Sequence, residues 1–369
     1  MIEIAEITSQ AEMNILREEW NSLLTKCPKV AIFQTWEWIN SCMKNFGRMK
    51  RFVVLCIRDE GNLVAIAPME ITLMYGLPFR RLQFIGVGVS DYMDFVIAMG
   101  FEDQALNAIF GWINANTSRW DLLDLQQIPE GSTTLEFCSR DTNHQGVLIP
   151  GEKCPFLPLA ENWDAMLGVF GKKMRFNLGY YERLMRRDFE NVEICLLGED
   201  EIAEGMAAFF DLHTKRWRKR WLPGMLADTG RQRFHKEIAK ECIKNGSLKL
   251  HALRVNGKIR SILYCYIFGG RYFYYLGGFD PELSKYSLGT VLTGHAVRSA
   301  VENGCAEFDF LRGDEHYKSR WTKEFRLNTR LVKSKQNTRS KMAYSICNLE
   351  QRIENYVKHE LHKRIGAGN

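Results

Sequence analysis

Between Ser247 and Phe279 the chain is turned back on itself twice by dipeptides that leave it little alternative. Asn256-Gly257 and Gly269-Gly270 separate the apolar-rich runs SLKLHALRV, IRSILYCYIF and RYFYYLGGF, and such pairs supply the positive φ angles that a two-residue hairpin requires. An antiparallel meander of three strands follows. Beyond it the sequence predicts a helix from about Ser287 to Glu302 and a strand at AEFDFL. The first half repeats the plan: RFVVLCIR, the turn DEGN and LVAIAPMEI form two strands, RRLQFIGVG a third, followed by a helix around Glu102 to Asn116 and the strand DLLDLQQI. Each half reads as antiparallel strands, helix and strand, preceded by helices.

A chain of 369 residues exceeds what one hydrophobic core usually serves, so two domains are expected. The join falls in VLIPGEKCPFLPL, punctuated by Pro150, Gly151, Pro155 and Pro158. This gives an N-terminal domain at 1–150, a C-terminal domain at 151–335 and an amphipathic helix at 336–369. The expected class is α/β (α+β), each domain a mixed, mainly antiparallel sheet flanked by helices. In the terminal helix Met342, Ile346, Leu349, Ile353, Tyr356 and Val357 share a face, which is expected to dock on the body; a membrane-surface helix is the competing reading.

Composition narrows the setting. Hydrophobic residues at 46% and charged residues at 25% suit a globular protein, and the net charge of +6 is too small to name a partner. Ten cysteines occur without any CxxC pair, which speaks against a zinc ribbon and for reduced, buried thiols in a cytoplasm. The start MIEIAEITSQAEMN lacks the basic and apolar regions of a signal peptide. No run of 18 apolar residues occurs, so no membrane span is expected and any contact with the inner face of a membrane would be peripheral.

The loop FDPELSKYSLG ends where the second predicted helix begins. The backbone N–H groups of Ser287, Leu288, Gly289 and Thr290 lack intrahelical partners there and form a candidate phosphate site, with an ordinary helix capped by Ser287 as the competing reading. Gly277 and Gly278 close the preceding strand, where glycine marks close approach of another backbone or of a ligand; an open strand edge there suits a pantetheine-like chain.

The order meander, SKYSLGT, helix and FDFLRGDEHYKSRW resembles the GNAT (Gcn5-related N-acetyltransferase) superfamily. FQTWEWINSCMKNFG, CPFLPLAENWDAMLG, KKMRFNLGYYERLMRR and FFDLHTKRWRKRW are similar to segments of its cellulose-biosynthesis CelD/BcsL-like branch. The likeness spans about residues 30 to 330 and implies two GNAT-like units in tandem, as in the FemAB-like peptidyl transferases. It departs at the Gln/Arg-x-x-Gly-x-Gly/Ala signature, of which only Gly289 is kept. The first half offers GVGVSDYMD at the equivalent point, so its unit is expected to be degenerate and the donor to bind in the second.

The resemblance implies acetyl-CoA or another acyl-CoA as co-substrate, no metal, and an amino-sugar or lipid-linked glycan precursor as acceptor. Acyl transfer to an amine needs a base, oxyanion donors and a proton for the leaving thiolate. Asp314 is assigned as base with Glu315 as alternative, Tyr317 or His316 as acid, and Lys318 as a fixed positive charge. The competing reading makes Asp314 a turn cap and Lys318 a solvated charge. Asp309, between two phenylalanines, is either hydrogen-bonded in the core or positions Arg312 or Lys318. Two basic runs, GKKMRFNLGYYERLMRRD and HTKRWRKRW, are solvated faces or anion sites; Arg216, Trp217 and Arg220 are assigned to the acceptor. Two other functions share this pattern: transfer from aminoacyl-tRNA, with the basic runs on RNA, and a non-catalytic module of a polysaccharide biosynthesis or export system.

Overall fold

A computed structural model describes residues 1–46, 51–140, 146–218 and 228–366. The chain divides into two compact units, one built from residues 1–152 and 327–369, the other from 153–326.

In the first unit β1 (Ile2–Ile7) leads into the helices α1 (Gln10–Ile15), α2 (Arg17–Leu24) and α3 (Trp36–Phe46), and then into β2 (Arg51–Asp59), β3 (Asn62–Leu73) and β4 (Arg80–Phe84). The turn between β2 and β3 places Glu60 at φ 48° and Gly61 at φ 81°, the paired positive angles of a tight hairpin. A two-residue strand, β5 (Val96–Ile97), α4 (Glu102–Ala115), β6 (Leu122–Pro129) and α5 (Thr133–Arg140) follow, and β7 (Val147–Pro158) carries the chain onward. Strands β1 to β4 pair antiparallel, and β6 joins β4 in parallel after the α4 crossover. Val53, Leu55, Leu82, Leu123, Ile109 and Phe110 fill the core between this sheet and α4.

The second unit holds α6 (Trp163–Val169), α7 (Lys172–Asp188), β8 (Val192–Leu196), α8 (Ile202–Arg218), α9 (Thr229–Lys244), β9 (Leu248–Val255), β10 (Lys258–Phe268) and β11 (Arg271–Phe279). Then come α10 (Leu288–Glu302), β12 (Glu307–Asp309) and the start of β13 (Phe325–Ser334). The order is β7-β12-β11-β10-β9-β8. Asn256 (φ 49°) with Gly257 (φ 76°), and Gly269 (φ 55°) with Gly270 (φ 70°), make both hairpins, and β11 meets β12 in parallel across α10. The two units thus repeat one plan, an antiparallel meander closed by a helix and a parallel strand. This is the expected class: mixed sheets flanked by helices. Nine of the ten free cysteines are buried and Cys195 is partly so.

Two boundaries differ from expectation. The second unit ends at Arg326 rather than near 335, because β13 from Asn328 onward pairs antiparallel with β6. The terminal helix α11 (Thr338–Gly366) therefore belongs to the first unit. It docks, but by a face rotated from the expected one. Ser340, Ala343 and Cys347 are buried and Ile346 packs half-buried beside them, while Met342, Leu349, Ile353, Tyr356 and Val357 are exposed. The reason lies in the surface beneath. Asp124, fully buried, accepts from Arg330 at 2.6 and 2.7 Å and faces Arg81 at 3.6 Å, and Arg81 in turn holds Glu350 of the helix at 2.5 Å. A charged floor selects small residues and a carboxylate rather than an apolar stripe.

Candidate active site

The ladder between β11 and β12 is short. It pairs Arg271, Tyr272 and Phe273 with Glu307, Phe308 and Asp309, whereas β11 runs on to Phe279 paired with β10. What stops β12 is local. Fully buried Asp309 accepts the N–H of Leu311 at 2.7 Å, and Leu311 takes a left-handed φ of 58°, so the chain leaves the sheet plane. The other oxygen of Asp309 accepts from Arg326 at 2.8 Å, and Arg326 also grips Glu307 at 2.7 Å. Asp309 is therefore the hydrogen-bonded core acid of the two readings, with Arg326 as a cation partner.

Beyond this kink the cluster Arg312–Lys318 folds around one ammonium. Lys318 is buried, and its Nζ donates to the carbonyls of Leu311, Arg312 and Gly313 at 3.2, 2.7 and 3.2 Å, with Glu315 at 2.8 Å. Its bonds point into the turn, so it is not the solvated charge of the competing reading. Asp314 and His316 are exposed on the outside of the same turn and Tyr317 is half-buried. The Tyr317 ring lies 6.3 Å from that of Tyr274 on β11. Tyr274 in turn reaches over Gly277: a Cβ at Gly277 would stand 2.6 Å from the Tyr274 hydroxyl. Sequence reading did not single out Tyr274, although the alternation in RYFYYLGGF placed an aromatic ring on each face of the strand.

The glycines separate into two kinds. A Cβ at Gly278 would lie 2.9 Å from Leu212 Cβ and 3.1 Å from the backbone nitrogen of His213, so this glycine admits α8 to the sheet: the approaching backbone is the protein's own. Gly289 is open, with only the Phe279 ring at 3.8 Å from its would-be Cβ. It is the second residue of α10, whose first turn contains no acidic side chain. Ser287 precedes it at φ 48° without a side-chain cap bond, so the expected capping hydroxyl is not used. The N–H groups of Thr290 and Val291 close on the Ser287 carbonyl, while those of Leu288 and Gly289 have no acceptor among the described residues. Two free donors at the positive end of a fifteen-residue helix form a place for an anion.

The equivalent position in the first unit is built differently. Residues 86–94 close on β6, where the N–H of Met93 donates to the carbonyl of Gln127 at 2.9 Å. The first turn of α4 carries Glu102 and Asp103, which oppose a phosphate there.

Helix α7 packs across α10. Leu178 fills the space where Gly294 has no Cβ, and Glu182 meets His295 at 3.0 Å. That hydrogen bond, then the Arg186 guanidinium, hold the Glu182 carboxyl down to about 2 against the effect of burial. Of the residues assigned to the acceptor, Arg216 and Trp217 fall in the last turn of α8 with side chains outside the described part, and Arg220 lies outside the described residues altogether.

Residues 172–319 match the Acetyltransferase (GNAT) domain, so this part of the chain is a GNAT-type acetyltransferase domain. The chain is accordingly an acyltransferase. Among solved structures the fold is similar to FemX, at 12% identity and a TM-score of 0.63 over 88% of this chain and 96% of that one. A conserved protein of unknown function from Bacteroides thetaiotaomicron gives a TM-score of 0.58 at 11% identity over 90% and 100%. The C-terminal domain of a lysylphosphatidylglycerol synthetase from Agrobacterium fabrum gives 0.57 at 11% over 93% and 95%. No curated protein matches the chain in sequence.

Proposed function

We propose that the second unit transfers an acyl group from acetyl-CoA or a longer acyl-CoA to the amine of an amino-sugar or lipid-linked glycan precursor. The first unit is a degenerate GNAT-like partner, and the chain falls in the cellulose-biosynthesis CelD/BcsL-like branch. One convergence carries this reading. The edge of β11 beyond Phe273 is flanked at one end by the Asp314–Tyr317 turn and runs at the other toward the open helix start at Gly289.

Bound acyl-CoA supplies an activated thioester carbonyl. The residues of this chain do the rest. The N–H groups of Leu288 and Gly289, with Ser287 and Thr290 shaping the turn, hold the diphosphate at the helix dipole. Asp314, exposed at the strand end, takes the proton of the incoming ammonium, and the Tyr317 hydroxyl, brought to the strand edge by Tyr274, returns one to the departing sulfur. Lys318 is a positioning residue that holds the turn. Arg216, Trp217 and Arg220 receive the acceptor. The setting is the cytoplasm, at or near the inner face of the membrane.

A second reading uses aminoacyl-tRNA as donor; the shared fold with a lysylphosphatidylglycerol synthetase favours keeping it. Calorimetry with acetyl-CoA, longer acyl-CoAs and tRNA tests the two. Acyl-CoA binding that Gly289→Val weakens supports the first, and binding of tRNA with none of any acyl-CoA replaces it by the second.

A further inference from the structure

Helix α7 begins against the ordinary rules of helix starts. Its N-cap is Gly171, which makes no side-chain bond, its first turn holds no acid, and lysines fill the first two positions, where the dipole is positive. At the helical repeat Lys172, Lys173, Phe176, Tyr180, Arg183 and Arg187 share one face. All six are exposed. The opposite side buries Met174 and Met185 and sets Leu178 against Gly294. Arg187 pairs with Asp188 at 2.8 Å, whereas Lys172, Lys173 and Arg183 meet no acidic side chain among the described residues. Phe176 is 57% and Tyr180 40% exposed, so two large rings stand in water among uncompensated cations. A local rule broken at no structural gain points to a use outside the fold.

We propose that this face of α7 seats the protein on an anionic lipid surface, the cations on headgroup phosphates and the two rings in the interface between headgroups and chains. The rings themselves argue against RNA as occupant. Phe176 and Tyr180 stack on each other at 5.2 Å and 17°, and Tyr181 meets Tyr180 edge-on at 5.3 Å. Their mutual stacking takes up ring faces that an unpaired base would need, while insertion beside lipid chains needs only apolar surface. The helix also ends near the donor loop, since Asp188 accepts from the Tyr286 hydroxyl at 3.0 Å, one residue before Ser287. Docking thus brings lipid-borne acceptors close to the proposed donor site, although the docking itself does not depend on that reading.

The test is co-sedimentation of the full chain with phosphatidylcholine vesicles, with and without phosphatidylglycerol, alongside filter binding of bulk tRNA. Binding is expected on the anionic vesicles alone and should fall as salt rises. Lys172→Gln with Lys173→Gln and Arg183→Gln should weaken it roughly a hundredfold. Phe176→Ala with Tyr180→Ala, which keeps every charge, should weaken it roughly tenfold or more. Since all five side chains are exposed, both variants should melt with the wild type. Equal binding to neutral and anionic vesicles, no vesicle binding, or vesicle binding unchanged in both variants overturns the proposal. So does loss of tRNA binding in these variants with vesicle binding intact.

Discussion

The ammonium of Lys318 lies 2.7 Å from the carbonyl oxygen of Arg312, and the carbonyls on either side of that residue share it at 3.2 Å. Three acceptors converge because Leu311 and Gly313 both take positive φ, at 58° and 103°, which curls the backbone around the lysine. Lys318→Met keeps much of the side-chain bulk but strands these carbonyls beside Glu315. Stability should fall by about 1 to 3 kcal/mol, the cost of leaving buried acceptors without a donor, since Glu315 is half-exposed and regains water. Thermal unfolding measures it, and turnover should fall with it because the turn that presents Asp314 loses its centre. A variant that melts with the wild type shows the turn to be held by its backbone alone.

Asp314 stands on the outside of that turn, so its replacement separates chemistry from structure. Asp314→Asn should lower kcat by ~10² to 10⁴, the range for loss of a general base, at nearly unchanged melting temperature. Glu315→Gln should do the reverse, costing stability through its contact with Lys318 and little turnover. Steady-state kinetics with an identified amine acceptor decides; full activity in Asp314→Asn with loss in Glu315→Gln exchanges the roles.

What was legible in the sequence and what was not divides along the range of the interactions. The hairpins at Asn256-Gly257 and Gly269-Gly270 are set by residues adjacent in the chain, so their type and place were readable. The same holds for the open glycine at the start of α10. The orientation of Lys318 depends on Leu311 adopting a left-handed angle, which a leucine does not announce. The outward stripe of α11 depends on Asp124, Arg81 and Arg330 meeting across strands far apart in sequence. Gly277 and Gly278 signalled a close approach correctly, but only the packed structure shows that a tyrosine ring and α8 are what approach.

Gly278 and Gly289 therefore answer substitution differently. Gly278→Ala puts a methyl 2.9 Å from Leu212 Cβ and 3.1 Å from a helix backbone nitrogen, and should cost about 1 to 3 kcal/mol by overpacking. A Cβ at Gly289 meets only the Phe279 ring at 3.8 Å, so in Gly289→Val the fold should stand while donor affinity falls. Paired denaturation and calorimetry read both. Unchanged CoA affinity in Gly289→Val removes the donor from this helix start.

The last prediction concerns acid. His235 and His251 are almost wholly buried in the second unit, and burial pulls both rings down to about 3. His251 keeps a partner, the Tyr272 hydroxyl at 2.5 Å, whereas neither ring nitrogen of His235 has a hydrogen bond among the described residues. Between about pH 6.5 and 3 the unfolded chain binds protons that the folded one refuses, so stability is complete above 6.5 and declines as pH falls through that window. At pH 5 each histidine should account for ~2 kcal/mol of the loss. His235→Phe suits the surrounding rings of Phe209, Phe234, Tyr264 and Tyr275 and removes one of the two protons. The variant should match the wild type or exceed it at pH 7, because an unsatisfied polar group is gone, and the stability lost between pH 7 and 5 should be smaller by ~2 kcal/mol. Chemical denaturation across that range gives the slope directly. An identical slope in the variant means that His235 is protonated in the folded state and that the acid sensitivity arises elsewhere.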